Sequence, residues 1–213
     1  MLTENEISHA VQFAEKLHRS INKLKLSDNN NKVLVSGACF VIAREHYHAI
    51  VCLIEEEIFP SAYALFRVAF EAYVRGEWLL RCADDEFVDD FIQKDKEPPK
   101  INCMIKELEE RNEGFEGEGF KKIGSLSQIK NNIWEPSCGW THTGGDAVRH
   151  WITKNGIESN YKKEDVLELL SATESIGARA TMAIASLSGD KNIAEDILKA
   201  MEHHFSAQGE RGG

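Results

Sequence analysis

SAYALFRVAFEAYVRGEWLLR, residues 61–81, predicts a long α-helix and, with it, a helical fold. Before Gly76 its strongly polar side chains are Arg67, Glu71 and Arg75, and apolar or aromatic residues occupy the positions around them. At 100° per residue, these three side chains, the polar stripe, fall within an arc of about 80° on one helix face. A helix on the surface of a bundle normally has a polar half, so this narrow stripe predicts a helix in the centre of the fold.

The polar stripe has two interpretations, and the sequence leaves both open. As an exposed edge, it would be an ion-pair ladder worth roughly a few tenths of a kcal/mol per pair. As the wall of an internal cleft, it would serve recognition, because a buried Arg–Glu pair is costly unless it is well satisfied. In the second case we expect Arg67 and Arg75 to hold an anionic ligand and Glu71 to orient its neighbours.

Helical periodicity covers most of the remaining chain. A short acidic helix is expected to end at Pro98-Pro99, and no strand pair is predicted. The sequence therefore predicts an all-α, single-domain helical bundle over residues 1–208, with long antiparallel central helices and a disordered tail at 209–213. Apolar residues at three- and four-residue spacing predict the other helices over residues 7–24, 32–57, 101–111, 163–188 and 190–207.

Composition narrows the classes of partner. The chain has 35 acidic and 25 basic residues, a net charge of -10, which repels phosphate backbones and disfavours long RNA as a ligand. Five cysteines without a C-x-x-C pair predict a reduced, cytoplasmic protein with no metal and no cofactor. The first 20 residues lack the apolar core of a signal peptide, and charges interrupt the apolar region 33–54, so no membrane partner is expected.

A second candidate site is CGWTHTGGDAVRHW, residues 138–151. Gly144 and Gly145 make the backbone permissive beside Thr141, His142 and Thr143. These side chains would precede a helix N-terminus, which favours an anion, so Thr141, Thr143, Gly144 and Gly145 are candidate ligand-binding residues. Histidine titrates near neutral pH, and His142 is therefore the candidate general acid or base.

The same loop also has an ordinary explanation. Asp146 would be the N-cap of a short helix AVRHWITKN, ended by Asn155-Gly156, and Trp140 and Trp151 would be core anchors. Arg149 follows the predicted cap and can neutralise a phosphate or carboxylate. The loop alone is therefore not an active site, and we expect it to act only together with the polar stripe.

Two further patterns are assigned no function. The spacing of Gly114, Gly117 and Gly119 resembles a dinucleotide loop, but the glutamates between them would repel a pyrophosphate, so a flexible turn is expected. The pair His203-His204 lies near the end of the last predicted helix, and we discount it as a site.

The third helix and the loop together resemble an uncharacterised family of bacterial helical proteins. In that family a helix of the pattern R-x-x-x-E-A-Y-x-R-G-x-W-L is paired with a T-H-x-G-G-like loop. More distantly, the long central helices resemble the HEPN superfamily, which implies a HEPN-like fold, a homodimer, and a phage-defence or toxin–antitoxin context. Many HEPN members are metal-independent ribonucleases with an R-x(4–6)-H motif. Here Arg44 and His48 have three residues between them, and Arg149 and His150 have none, so that motif is absent.

Two functions follow as hypotheses. The first is a binding or interaction module whose cleft takes a small anionic ligand or nucleotide through Arg67, Arg75 and Arg149. The alternative is a HEPN-like ribonuclease or a nucleotide-directed enzyme, with His142 moving protons and Glu71 orienting the catalytic groups. The composite site requires Arg67, Glu71 and His142 to converge on one cavity.

Overall fold

The computed structural model describes residues 2–21, 24–111 and 125–209 of the chain. Its architecture is an all-α helical bundle, as the periodicity predicts, and the described residues also contain one very small two-stranded sheet that was not predicted. The elements in chain order are α1 (Glu4–Ser20), α2 (Asn31–Glu55), α3 (Phe59–Arg81), α4 (Asp85–Lys94), α5 (Ile101–Glu110), α6 (Leu126–Ile129), a π-helical turn (Lys130–Trp134), α7 (Glu135–Thr141), α8 (Gly145–Arg149), β1 (Ile152–Thr153), β2 (Gly156–Ile157), α9 (Lys163–Ser188) and α10 (Lys191–Gly209).

Side chains at the helix starts explain where the helices begin. Thr3 and Glu6 form a capping box at α1, and the side chains of Asn30 and Asp84 accept backbone N–H groups at the starts of α2 and α4. Such caps satisfy amide groups that have no partner inside the helix. Pro60 lies in the first turn of α3, where its missing N–H costs little.

The centre of the bundle is α3 with α2, and α9 packs on α2. A tight turn in which Glu57 has a positive φ of 58° joins α2 to α3, and a short connection of this kind makes the two helices antiparallel neighbours. Gly177 of α9 permits close packing, because a Cβ there would overlap the ring of Tyr47. The polar stripe therefore belongs to a central helix, as predicted.

The chain between α5 and α9 differs from the prediction. The region from α6 to α7 is helical, and the predicted helix AVRHWITKN is wrong: α8 ends at Arg149, and a hairpin pairs Ile152 with Ile157 and Thr153 with Gly156. Asn155-Gly156 is thus part of a hairpin and not a helix end. Gly156, whose φ is 134°, supplies a backbone conformation that suits such a turn.

Two predictions fall wholly or largely outside the described residues. The turn that contains Gly114, Gly117 and Gly119 lies there entirely. Of the predicted tail 209–213, Gly209 is the last residue of α10, and residues 210–213 are outside the described part of the chain.

One helix among the described residues, α2, is long and apolar enough to cross a membrane by length and composition alone. Its most apolar window has a mean hydropathy of 1.3, and 44% of that window is buried inside the bundle. The central helix of a soluble protein meets the same criterion. Because α2 packs against α1, α3, α4 and α9, it is a core helix of the bundle.

Candidate ligand-binding site

The first two residues of the polar stripe are held by an aromatic and a thiol. The Arg67 guanidinium Nε lies 2.9 Å from the Glu71 carboxylate, and the guanidinium carbon lies 4.4 Å from the centre of the Trp134 indole ring. The Trp134 indole N–H donates to the same Glu71 oxygen at 3.1 Å, and an Arg67 N–H donates to the Cys138 sulfur. Arg67 and Glu71 are half-buried, so the stripe is not a fully exposed ladder.

The local fold explains why Trp134 and Cys138 reach α3. The π-helical turn ends at Trp134, and α7 continues directly from it, so that Cys138 follows one turn later. A π turn inserts an extra residue and re-aims the side chains near it, and such turns are frequent at functional sites. The Cys138 thiol also donates to the Trp134 carbonyl at 3.6 Å, which couples the two side chains that touch Arg67.

A cleft of about 520 Å³ lies beside these groups and contains the third member of the polar stripe. We call it the Arg75 cleft. Its walls come from α3, from the Trp134 indole, and from the segment that enters α5. Its lining residues are Arg67, Glu71, Arg75, Glu97, Pro98, Pro99, Lys100, Ile101, Asn102, Met104 and Trp134.

Arg75 is the unusual member of the lining. Its side-chain Nε is buried and has no hydrogen-bond partner, and the side chain forms no ion pair with any residue that the structure describes. The nearby Cys39 feels its positive charge: burial raises the pKa of that thiol, and Arg75 opposes the increase. Arg75 therefore brings an uncompensated positive charge to the cleft.

The start of α5 adds to this positive character. Lys100 is the N-cap residue, no side chain caps the helix, and Lys100, Ile101 and Asn102 all line the cleft. Amide groups in an uncapped first turn carry the positive end of the helix dipole. α5 is fixed against α3, because the Trp78 indole N–H donates to Glu107 at 2.7 Å.

The second predicted site does not join this cleft. His142 is exposed and is absent from the residues that line the Arg75 cleft. The described contacts of Arg67 and Glu71 do not include His142, so the convergence that the composite site requires stays a prediction. The catalytic roles assigned to His142 and Glu71 stay predictions.

The remaining loop residues build a tight turn after α7. His142 is the C-cap residue, Thr143 has a positive φ of 52°, and the Gly144 amide donates to the Gly139 carbonyl at 2.6 Å. Gly144 packs closely on Gly139, and a Cβ at Gly144 would make a tight contact of 3.1 Å with the Gly139 carbonyl oxygen. Thr141 donates its hydroxyl back to the Ser137 carbonyl at 3.3 Å.

The predicted role of Asp146 as an N-cap is wrong. Gly144 occupies the N-cap position of α8, and Asp146 lies inside the helix, where its carboxylate pairs with Arg149. Gly145 and Arg149 are both exposed, and α8 is only five residues long. The helix therefore begins two residues before the predicted start, and a glycine stands at the N-cap in place of a capping side chain.

The two tryptophans of the loop differ in how closely they pack against other aromatic rings. Trp140 stacks on Tyr63 with 4.7 Å between ring centres, and the rings of His150 and Tyr161 also contact it. It is the predicted anchor. Trp151 is 38% exposed, so it anchors the loop only partly.

The sequence analysis missed a buried polar group between α9 and α10. His204 and Glu174 are buried, and their side chains meet at 3.0 Å, while the His204 ring stacks on Phe13 at 3.9 Å. Sequence position near the chain end gave no indication of this burial, which arises because α10 packs onto α1 and α9. The sequence did contain a signal of this burial, because Glu174 and Arg179 are isolated charges in an apolar helix, like the residues of the polar stripe.

A second buried carboxylate was also missed. Glu77 is 1% exposed and accepts an N–H from Arg81 at 2.7 Å. Burial raises the pKa of the Glu77 carboxyl, and its hydrogen bond and attraction to Arg81 oppose the increase. Tyr73 lies in the same environment, and burial raises its pKa as well.

Among the described residues, no group of three or more His, Cys, Asp or Glu side chains is arranged to hold a metal ion. The chemistry available at the Arg75 cleft is therefore that of guanidinium, ammonium, carboxylate and indole groups. Such a set recognises anions through charge-assisted hydrogen bonds.

Comparison with known proteins gives a family and no function. No curated protein and no solved structure matches the chain. Residues 40–209, which include the polar stripe, the Arg75 cleft and the loop at 138–151, match the model of a family of unknown function, DUF6988. This match agrees with the resemblance to an uncharacterised family, while the more distant HEPN-like relationship stays a prediction. The chain belongs to the DUF6988 family.

Proposed function

We propose that the protein is a binding module that captures a small anionic ligand in the Arg75 cleft. The observation that carries this proposal is the state of Arg75, whose buried Nε has no hydrogen-bond partner among the described residues. A buried N–H without an acceptor costs roughly 1–3 kcal/mol, more when the group is charged. A bound carboxylate or phosphate would pair with the guanidinium charge of Arg75, which lines the cleft and forms no ion pair with the described residues.

The arginines of the polar stripe would have different roles. Arg67 is occupied by Glu71, Trp134 and Cys138, so it builds and orders the wall of the cleft. Arg75 and Lys100 are the cations available to a ligand, and the uncapped first turn of α5 adds amide donors. Three cations and two carboxylates line the cleft, so it is locally positive on a chain whose net charge is -10.

The size of the cleft favours a small molecule. Its volume of about 520 Å³ lies within the usual range for small-ligand sites, roughly 300–1,000 Å³. The proline pair and the Trp134 indole supply apolar surface for the body of a ligand, while the cations take its charge. The ligand class is therefore a carboxylated or phosphorylated metabolite, mononucleotides included, and long RNA is disfavoured by the acidic surface.

Thermal unfolding of the full chain with defined anions tests the proposal. The probes are inorganic phosphate, adenosine monophosphate and citrate, each titrated at constant ionic strength. We expect at least one to raise the melting temperature, because a ligand at 100 times its Kd stabilises the folded state by about 2.7 kcal/mol. Arg75→Met should abolish that increase, because the substitution removes the charge and keeps the length of the side chain.

Arg149→Met is the matched control, since Arg149 is an exposed arginine outside the cleft. It should bind each probe as the wild-type protein does. A wild-type melting temperature that no probe moves would overturn the proposal. So would a response that Arg149→Met loses and Arg75→Met keeps, because the ligand would then lie at the loop.

The loop residues and the enzymatic alternative have a separate test. His142→Ala leaves the Arg75 cleft intact and removes the proposed proton carrier. If the wild-type protein cleaves RNA or a nucleotide and His142→Ala does not, the protein is an enzyme and the binding proposal is incomplete.

A further inference from the structure

The outward face of α2 is apolar, and none of the residues that the structure describes covers it. Leu34, Val41 and Ile42 are 43%, 37% and 46% exposed, and Ala38 is also exposed among them. With Glu45 these five residues, the α2 face, fall within an arc of about 100° at 100° per residue. The other sides of α2 pack against α1, α3, α4 and α9.

We propose that a second copy of this chain covers the α2 face, with the two α2 helices antiparallel about a two-fold axis at Ala38. In a closed dimer the same patch meets itself, so it must be self-complementary. Residues equally distant from Ala38 then face each other, and Leu34 lies opposite Ile42 of the partner subunit. The α2 face has this symmetry: an alanine at the centre, and a large apolar residue four positions away on each side.

The small central residue sets how closely the helices approach. Interhelical distances are about 8–10 Å and depend on the side chains at the crossing point, so Ala38 against the partner's Ala38 allows the short end of this range. Each Leu34–Ile42 pair can then be buried from both sides. Two such pairs form per dimer, one on each side of the axis.

The ends of the α2 face are polar. Glu45 lies seven residues after Ala38 and therefore faces the partner's Asn31, the first residue of its α2. That first turn contains no acidic residue. The Glu45 carboxylate would thus lie near the partner's Asn31, whose carboxamide already donates to Asp89 at 2.7 Å, so the Leu34–Ile42 pairs supply the attraction.

A groove beside the α2 face supports the same occupant. It has a volume of about 480 Å³ and includes Leu34, Ala38 and Val41 in its mainly apolar lining, with Ile184 on its far side. Ile42 does not line this groove and protrudes next to it. In the two-fold arrangement, Ile42 of the partner subunit lies over Leu34 at the rim of the groove, so a protruding side chain meets a recess.

Crosslinking of the full chain tests the position of the axis. In a Cys52→Ser, Cys103→Ser background, which removes the two exposed thiols, Ala38→Cys should form an intermolecular disulfide on mild oxidation. Glu45→Cys is the matched control on the same face. At 1.5 Å per residue its two copies would be about 20 Å apart, well beyond the roughly 7 Å limit for Cα atoms joined by a disulfide.

Sedimentation velocity at about 50 µM provides the second measurement, since specific interfaces of standard size have Kd values of micromolar or below. The wild-type chain should be a dimer and Ile42→Asp a monomer. Val68→Asp, at a residue of α3 with 44% exposure, should remain a dimer.

Three results would overturn the proposal: a monomeric wild-type chain, equal crosslinking by Ala38→Cys and Glu45→Cys, or binding of the α2 face to phosphatidylcholine vesicles by a monomeric wild-type protein. If Ile42→Asp fails to fold, the crosslinking ratio alone decides. Neither measurement depends on anion binding, so a failed Arg75 test leaves the dimer proposal standing.

Discussion

The Arg75 cleft and the Glu174–His204 pair both contain polar, ionisable side chains, but the cleft is open to water and the pair is buried. In the core, His204 and Glu174 meet each other at 3.0 Å and are shielded from water by α1, α9 and α10. In the cleft, Arg67 has three partners, while Arg75 has a buried Nε with no hydrogen bond to the described residues. The two buried charged groups of the core pair with each other, whereas Arg75 lines an open cleft and has no ion pair among the described residues.

Exposure separates the two regions as well. The side chains of Glu174 and His204 are 0% and 6% exposed, whereas those of Arg67 and Glu71 are 25% and 29% exposed. Removing one partner of a buried pair leaves a polar group without compensation, and removing one partner of a half-exposed pair leaves a group that water can reach. The same substitution should therefore affect stability strongly in one region and weakly in the other.

The largest effect is expected from Glu174→Ala. It should lower the free energy of unfolding by about 3–5 kcal/mol, because the His204 ring stays buried against Phe13 without its carboxylate partner. Urea denaturation measures the change. Glu168→Ala, an exposed position on the same helix, is the control and should change stability by less than about 0.5 kcal/mol. A loss below 1 kcal/mol for Glu174→Ala would mean that the pair does not hold α10 to the bundle.

The sequence predicted the helices of both regions well where the periodicity of apolar residues determines them. α9 begins and ends at the predicted residues 163 and 188, and the narrow stripe correctly indicated that α3 is central. These features depend on local spacing of apolar residues, which the sequence displays directly. The partners of the stripe could not be predicted, because Trp134 and Cys138 reach α3 only through a π turn more than sixty residues away.

The prediction for the loop at 138–151 was partly wrong for a different physical reason. Asp146 is a good N-cap by residue type, but the turn after α7 needs Gly144 beside Gly139, and that contact fixes the start of α8. Likewise, the position of His204 near the chain end hid its burial, because only the packing of α10 on α1 and α9 places it beside Glu174. The isolated charge of Glu174 in an apolar helix is the local signal of this contact, and its partner cannot be read from local sequence.

A pH-dependent effect of intermediate size is expected from Glu77. Burial raises the pKa of this carboxyl above its ordinary value of 4.5, so the folded state binds the proton more tightly than the unfolded state. The free energy of unfolding then falls as the pH rises from 4.5 towards the raised pKa, by at most about 1.4 kcal/mol per pH unit. Glu77→Gln should remove this decrease in urea denaturation series across that window.

Glu6→Gln is the control of opposite sign. The Thr3 backbone N–H lowers the pKa of Glu6 to about 2, and the hydrogen bond and positive charge of Lys163 also lower it. The stability that Glu6 provides is present above 4.5 and is lost as the pH falls from 4.5 towards 2. Glu6→Gln should therefore flatten the acidic side of the curve and leave the Glu77 window unchanged. An unaltered slope in Glu77→Gln would show that another buried group causes it.

The smallest effect on stability is expected from the half-exposed ion pair of Arg67 and Glu71. A double-mutant cycle of Arg67→Ala and Glu71→Ala should give a coupling free energy of about 0.2–1 kcal/mol, because water screens both half-exposed groups. Each single variant also removes its own contact with Trp134, and the cycle subtracts these two contributions as long as the indole ring keeps its position. A coupling above about 2 kcal/mol would place this pair with Glu174 and His204, and the Arg75 cleft would then be a structural junction and not an open site.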